Sequence, residues 1–189
     1  VTRAACVAVL CAALNASGDE LARLSLPNLP LPSTDGRTFD LHALPSTARV
    51  TVLTFFSAHC PCQAIHDSRL VQLASEYQTQ GVQFFAVDSE DGSSLEADKE
   101  EAARRRYPFP ILRDEGGRLA KALDVHFATG TVIVDSQGTV RYRGGIDTDK
   151  RSLHEDAKPY LKSAIDSVLA GRDPQPAEPK SLGCYLLGT

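Results

Sequence analysis

The sequence predicts an α/β protein, a three-layer α/β/α sandwich with a mixed central sheet. Three observations predict it. Residues 50–56, Val-Thr-Val-Leu-Thr-Phe-Phe, are an unbroken run of β-branched, aliphatic and aromatic residues, the pattern of a strand buried on both faces. Helical spacing then runs over 63–80, with Ile65, Leu70, Leu73, Ala74 and Tyr77 on one face, and a second strand-like run follows at 82–87; strand, helix, strand in that order gives parallel strands. Residues 131–134 and 139–143 flank Ser136-Gln137-Gly138, a hairpin signature that adds antiparallel strands to the sheet.

The remaining elements follow in order. Residues 26–32, Leu-Pro-Asn-Leu-Pro-Leu-Pro, are too proline-rich for a central strand and read as an extended edge segment. Asp35-Gly36 marks a turn before a short strand at 38–41. Gly81 stands just past the first long helix, where a C-terminal glycine belongs. Residues 95–106 form a charged helix, 108–112 a strand entry whose prolines suggest an edge, and 118–123 a short helix after Gly116-Gly117. The last helix is expected over 152–170, with Leu153, Tyr160, Leu161, Ile165, Val168 and Leu169 buried and Pro159 near its start or at a kink. A Pro- and charge-rich arm, 171–181, leads to Gly183-Cys184-Tyr185-Leu186-Leu187, an apolar patch expected to dock on the body.

The chain has 189 residues, 42% of them hydrophobic, and a net charge of −4 with no basic block. That suits one domain with a sizeable core and argues against a nucleic-acid partner. Arg3, the apolar run 4–14 and the small residues 15–18 have the pattern of a secretory signal. The expected organisation is therefore a signal over 1–18, one domain over 19–170 and an arm over 171–189, in an exported, periplasmic or otherwise extracytoplasmic monomer. A membrane anchor would require lipidation at Cys6 or Cys11, and neither site matches a lipoprotein signal well. Removing the signal leaves three of the five cysteines, Cys60, Cys62 and Cys184, an odd number in a disulfide-permissive compartment.

Cys60 and Cys62 sit where the central strand hands over to a helix. Backbone N–H groups and the helix dipole favour an anion there, and a thiolate is both the anion and the nucleophile of thiol chemistry. Residues i and i+2 do not share a helix face, so a Cys60–Cys62 bond would have to form off the helix, with strain.

The strand ending Phe-Phe-Ser-Ala-His before Cys60-Pro61, the strand Gly81-Val-Gln-Phe-Phe-Ala-Val-Asp88 and the hairpin Thr131-Val-Ile-Val-Asp-Ser-Gln-Gly-Thr-Val-Arg-Tyr-Arg-Gly144 resemble the thioredoxin superfamily. The likeness is to its extracytoplasmic redoxin branch of TlpA/ResA-like and AhpC/TSA-like proteins, and it covers residues 26–170. It implies a thioredoxin fold with an inserted helix-strand, thiol-disulfide oxidoreductase activity with Cys60 as nucleophile, no cofactor, a thiol or disulfide substrate and an external electron donor. The chain departs from the pattern at several positions. Gln63 stands where a Cys-x-x-Cys pair would place its second cysteine, and His59 where a Trp is common. Thr129 or a neighbour stands where the family has its cis-proline. Of the peroxiredoxin signature, Ser57 is present, but Leu53 replaces the proline.

The candidate site residues are Cys60, with Cys62 or Cys184 to resolve it, and His66, which replaces a proton-handling Glu of some relatives. His59 is a further candidate to stabilise the thiolate. The alternatives are a peroxiredoxin-like peroxidase and a Sco-like Cu(I)-binding module using Cys60, Cys62 and His126. Glu76, Asp88, Glu100 and Asp135 read as solvated or turn residues, and Arg104-Arg105-Arg106 as a response to the helix dipole.

Overall fold

The computed structural model describes residues 21, 23–186 and 188; the expected signal over 1–18 lies outside them. Among the described residues the elements run β1 (Pro30–Pro32), β2 (Thr38–Asp40), β3 (Val50–Phe56), α1 (Pro61–Tyr77), β4 (Val82–Asp88), α2 (Leu95–Arg105), β5 (Ile111–Arg113), α3 (Arg118–Ala122), β6 (Thr131–Asp135), β7 (Val140–Gly144) and α4 (Tyr160–Leu169). β1 and β2 form a small antiparallel ribbon, and the other five strands form one sheet in the order β5-β4-β3-β6-β7. Central β3 runs parallel to β4, with Phe56 opposite Asp88, and antiparallel to β6, with Val50 opposite Asp135. The mixed sheet and its terminal hairpin are thus as the sequence predicts. No helix among the described residues is long and apolar enough to cross a membrane.

All seven residues of β3 are buried, and the two-residue period of a strand divides them between two cores. Leu53 and Phe55 face the core that holds Phe85, Val87, Val132, Leu119 of α3 and the lead-in leucines Leu29 and Leu31. Val52 and Phe56 face the core that holds Phe84, Ile133, Tyr142, Leu70 of α1 and Ile165 of α4. Each such side chain contributes about 1.5–3 kcal/mol by leaving water, so the strand that ends just before the cysteines is firmly held from both faces of the sheet. α1 ends through a short 3-10 turn at Gly81, whose φ of 79° is left-handed. That conformation favours glycine.

The last helix is shorter than expected. It starts at Tyr160 with Pro159 as its N-cap, and Leu153 is exposed. Proline restricts the residue before it to extended backbone, so Lys158 cannot be helical. Its N–H donates instead to Thr148 Oγ1 (3.0 Å), and the His154 N–H donates to Asp149 Oδ2 (2.8 Å). The arm after α4 runs back along β7. The N–H groups of Arg143 and Gly145 donate to the carbonyls of Ala177 (3.0 Å) and Pro179 (3.2 Å), and the Arg143 guanidinium binds Glu178 and Asp124.

Asp88 is not solvated, as its sequence context suggests, but buried at the end of β4. It accepts hydrogen bonds from Ser93 Oγ and the Glu90 N–H and lies beside Arg113 and Asp98. Asp98 is also buried, and its Oδ2 has no donor. Burial first, and the Asp88 carboxylate next, push its pKa up to about 8. A folded pKa above the unfolded value of about 3.9 means that the folded state holds the proton more tightly. Its stabilisation is complete below that unfolded value and is lost as pH rises to about 8. Asp98→Asn, which keeps a donor without the charge, should flatten the fall in urea-unfolding stability between pH 5 and pH 9; an unchanged slope would refute the raised pKa.

Candidate active site

The buried run of β3 stops at Ser57. Ser57 O accepts the Cys60 N–H (3.4 Å) and Ser57 Oγ the His59 N–H (3.3 Å), which closes a tight turn. Cys60 is the N-cap of α1, with extended φ/ψ of −83° and 113°. Pro61 follows at the first helical position, where its missing N–H costs nothing and its fixed φ suits the helix. Because Cys60 precedes the helix, the helix-face rule does not separate it from Cys62. Both are buried, and the sulfurs of Cys60, Cys62 and Cys184 all lie within 4.8 Å of one another. All three are free thiols.

Cys184 arrives from the far end of the chain. Its N–H donates to Cys60 Sγ (3.4 Å), and its carbonyl accepts the Ala128 N–H (2.8 Å). The loop before β6 is shaped for this. Thr129 has φ 68°, in the left-handed region that non-glycine residues seldom adopt. The bend points the Ala128 N–H at the tail and the Thr129 N–H at the Phe55 carbonyl (2.9 Å). The loop is therefore tied to β3 at Thr129 and to the tail at Ala128.

The three thiols differ in proton affinity. Burial pushes the Cys60 thiol up, but hydrogen bonds from the Cys184 thiol and from the N–H groups of Cys184, Gln63 and Cys62 outweigh it and lower the pKa. Hydrogen bonding to Cys60, then burial, push Cys184 up to about 12. Burial and the Cys60 charge raise Cys62, against a weaker pull from Lys150 and Arg151. Of the three, Cys60 is the thiol whose ionisation the surroundings favour, and Cys62 and Cys184 are the two whose ionisation they oppose.

His66 is buried. Its Nδ1 lies 2.7 Å from the Cys62 carbonyl oxygen and its Nε2 3.0 Å from Asp147 Oδ1, so both nitrogens face acceptors. Burial lowers its pKa, but Asp147 and the Cys62 carbonyl outweigh that and raise it, and Arg69 also binds Asp147. The ring holds the first turn of α1 through its backbone. His59 is exposed at the rim.

Sequence reasoning missed the support beneath the turn. Arg105 is not one of three exposed helix-end arginines; it is buried. It donates to the Ala58 carbonyl (3.1 Å), Asp67 Oδ2 (2.6 Å) and Glu101 Oε2 (2.8 Å), and stacks on Phe56. Gln63 Nε2 donates to Asp67 Oδ1 (3.2 Å) and Tyr107 Oη (3.1 Å). The Glu101–Arg105 spacing of four residues was readable as an i,i+4 pair; the reach to Asp67 and Ala58 was not.

The Cys60–Cys62–His126 set is not assembled. The His126 side chain is exposed and binds Asp124 (2.9 Å). Among the described residues the group placed to hold a metal is the three sulfurs themselves, a soft donor set in which any bound ion would occupy the nucleophile.

The AhpC/TSA family model matches residues 22–143. The thiol:disulfide interchange protein DsbE of Yersinia pestis is 28% identical over 158 residues, 78% of this chain and 80% of that protein. Among solved structures, an uncharacterized conserved protein from Geobacillus kaustophilus is 31% identical with a TM-score of 0.78, covering 86% of this chain and 89% of that one. A hypothetical protein from Sinorhizobium meliloti is 26% identical, also with a TM-score of 0.78, covering 87% and 93%. The match to the family model spans more than half of the chain, and on that ground this protein, with its thioredoxin fold, belongs to the AhpC/TSA family.

Proposed function

We propose that the protein is a thiol-disulfide oxidoreductase of the cell envelope, with Cys60 as nucleophile and Cys184 as resolving thiol. The observation that carries this reading is the Cys184 N–H and thiol donating to a sulfur at a helix start. The similarity to a thiol:disulfide interchange protein supports the reaction class, and the charged and apolar pattern of the segment 1–18 supports the extracytoplasmic location, as the export signal of a protein acting as a monomer.

In the proposed mechanism the Cys60 thiolate attacks one sulfur of a substrate disulfide. The substrate S–S bond breaks and a mixed disulfide forms. The leaving thiolate takes the proton of Cys184. The charge on Cys60 that held this proton has by then been used to make the new bond, so Cys184 becomes a thiolate as it becomes needed. It attacks Cys60 Sγ, the Cys60–Cys184 bond forms, and the second substrate thiolate leaves and is protonated by water. The substrate disulfide is reduced to two thiols, and two protein thiols are oxidised to one disulfide; a thiol donor restores them, or the reverse sequence oxidises a substrate. His66 acts as a positioning residue that holds the Cys62 carbonyl, and Cys62 remains a thiol. The peroxidase alternative fits less well. Ser57 Oγ is engaged within its own turn, Leu53 is core, and Cys184 lies against Cys60.

In a protein-disulfide reduction assay, Cys60→Ser should abolish turnover. Cys184→Ala should keep the first attack, lower turnover at least about tenfold and trap the substrate as a mixed disulfide visible by mass spectrometry. Peroxide consumption dependent on Cys60, without disulfide reduction, would overturn the reading. The iodoacetamide reaction of Cys60 should have a pH midpoint below the free-thiol value of about 8.5. Cys184→Ala should raise that midpoint, because it removes a donor to the thiolate; an unmoved midpoint would show that the tail thiol does not stabilise the charge.

A further inference from the structure

The tail lies on the loop before β6 as an added strand. Phe127 and Tyr185 form an antiparallel bridge pair. The Ala128 N–H donates to the Cys184 carbonyl (2.8 Å), and the Leu186 N–H donates to the His126 carbonyl (2.9 Å). Side chains alternate along it as in any strand. Cys184 turns to Cys60, Tyr185 lies exposed against the Phe127 ring at 4.4 Å, and Leu186 is buried in the core that also contains Cys60. Backbone pairing of this kind accepts any extended polypeptide, and the alternate side chains decide which one fits.

Gly183 sets the sharpest condition. A Cβ there would overlap the Ala128 carbonyl oxygen and lie 2.9 Å from Thr129 Oγ1. The obstacle is backbone that cannot yield, because the loop is fixed to β3 through Thr129 and Gly130. Gly183 is not at a positive φ, so it is the close approach, not the conformation, that excludes a side chain.

We propose that residues 126–128 are a docking edge for extended polypeptide substrates whose cysteine follows a glycine, and that the tail is an intramolecular occupant which the substrate displaces. The inference rests on the reading of Cys60 as the nucleophile. A substrate sulfur that reaches Cys60 along this edge takes the register of Cys184. Its preceding residue then falls over the Ala128 carbonyl, and the residue two after it falls in the apolar site of Leu186. Tail and substrate exclude each other on the edge. The substrate therefore docks as the tail leaves the edge, and after the first attack the tail returns while the substrate is still held by its sulfur, bringing the Cys184 proton to the leaving thiolate. Tethering gives the returning Cys184 a high effective concentration, which favours resolution over escape.

The test uses the full-length reduced protein and three disulfides: the symmetric dimer of Ser-Leu-Gly-Cys-Tyr-Leu-Leu, the same dimer with Val in place of Gly, and cystine. The Gly dimer should be reduced with a kcat/KM at least about tenfold above that of the Val dimer, a gap of about 1.4 kcal/mol. Gly183→Ala, which unseats the tail and with it the Cys184 donors, should raise the pH midpoint of Cys60 alkylation, and an unmoved midpoint would show that the tail does not need the close approach at Gly183. Equal rates for the two dimers, with cystine also reduced, would overturn the docking edge and leave thiol exchange standing. Failure to reduce any of the three would overturn both. The peptide comparison uses the natural chain, so it holds even if Gly183→Ala does not fold.

Discussion

The convergence of hydrogen-bond donors on Cys60 Sγ is the interaction on which the rest of the site depends. A buried thiolate is costly unless donors surround it. Here the donors come from two directions. Gln63 and Cys62 supply N–H groups from the start of α1, and Cys184 supplies an N–H and a thiol proton from the tail. The helix start alone is the arrangement common to reactive cysteines. The tail adds a donor that is also a potential bonding partner, so the group that favours a charge on Cys60 is also the resolving thiol of the proposed mechanism.

Several parts of the fold hold this arrangement in place. β3 is buried on both faces and fixes the height of the turn. Arg105 grips the Ala58 carbonyl from α2, and His66 with Asp147 grips the Cys62 carbonyl from below. The strained Thr129 joins the tail-binding loop to Phe55. Buried charges such as Arg105 and Asp147 are expensive unless paired, and each is paired with groups from other elements, so each ties two parts of the chain into one geometry. Such groups add precision more than stability, which is what the proposed nucleophile and resolving thiol require.

Much of the fold was legible in the sequence, because periodicity and turn chemistry are local. The run of β3, the start of α1 at Cys60-Pro61, Gly81 and the hairpin at Ser136-Gln137-Gly138 each carry their own signal. The last helix was drawn too long because its apolar spacing continued upstream of Pro159, where the proline and the Asp149 carboxylate decide the backbone. At the site, the type and position of Cys60 could be read. The burial of Asp88, the reach of Arg105 and the place of His66 could not, since each depends on partners 25 to 81 residues away. The convergence of Cys184 on Cys60 spans 124 residues; only the chemistry of the thiol and the length of the arm hinted at it. Cys60 caps the helix instead of belonging to it, so its approach to Cys62 follows from the cap geometry and not from the spacing of helix faces.

The central claim is that the tail thiol, not the nearer Cys62, closes on the nucleophile. Mild oxidation of the full-length protein with diamide, alkylation of the remaining thiols, proteolysis and mass spectrometry test it directly. The account requires a Cys60–Cys184 linked peptide with Cys62 alkylated. A Cys60–Cys62 bond with Cys184 alkylated would contradict it.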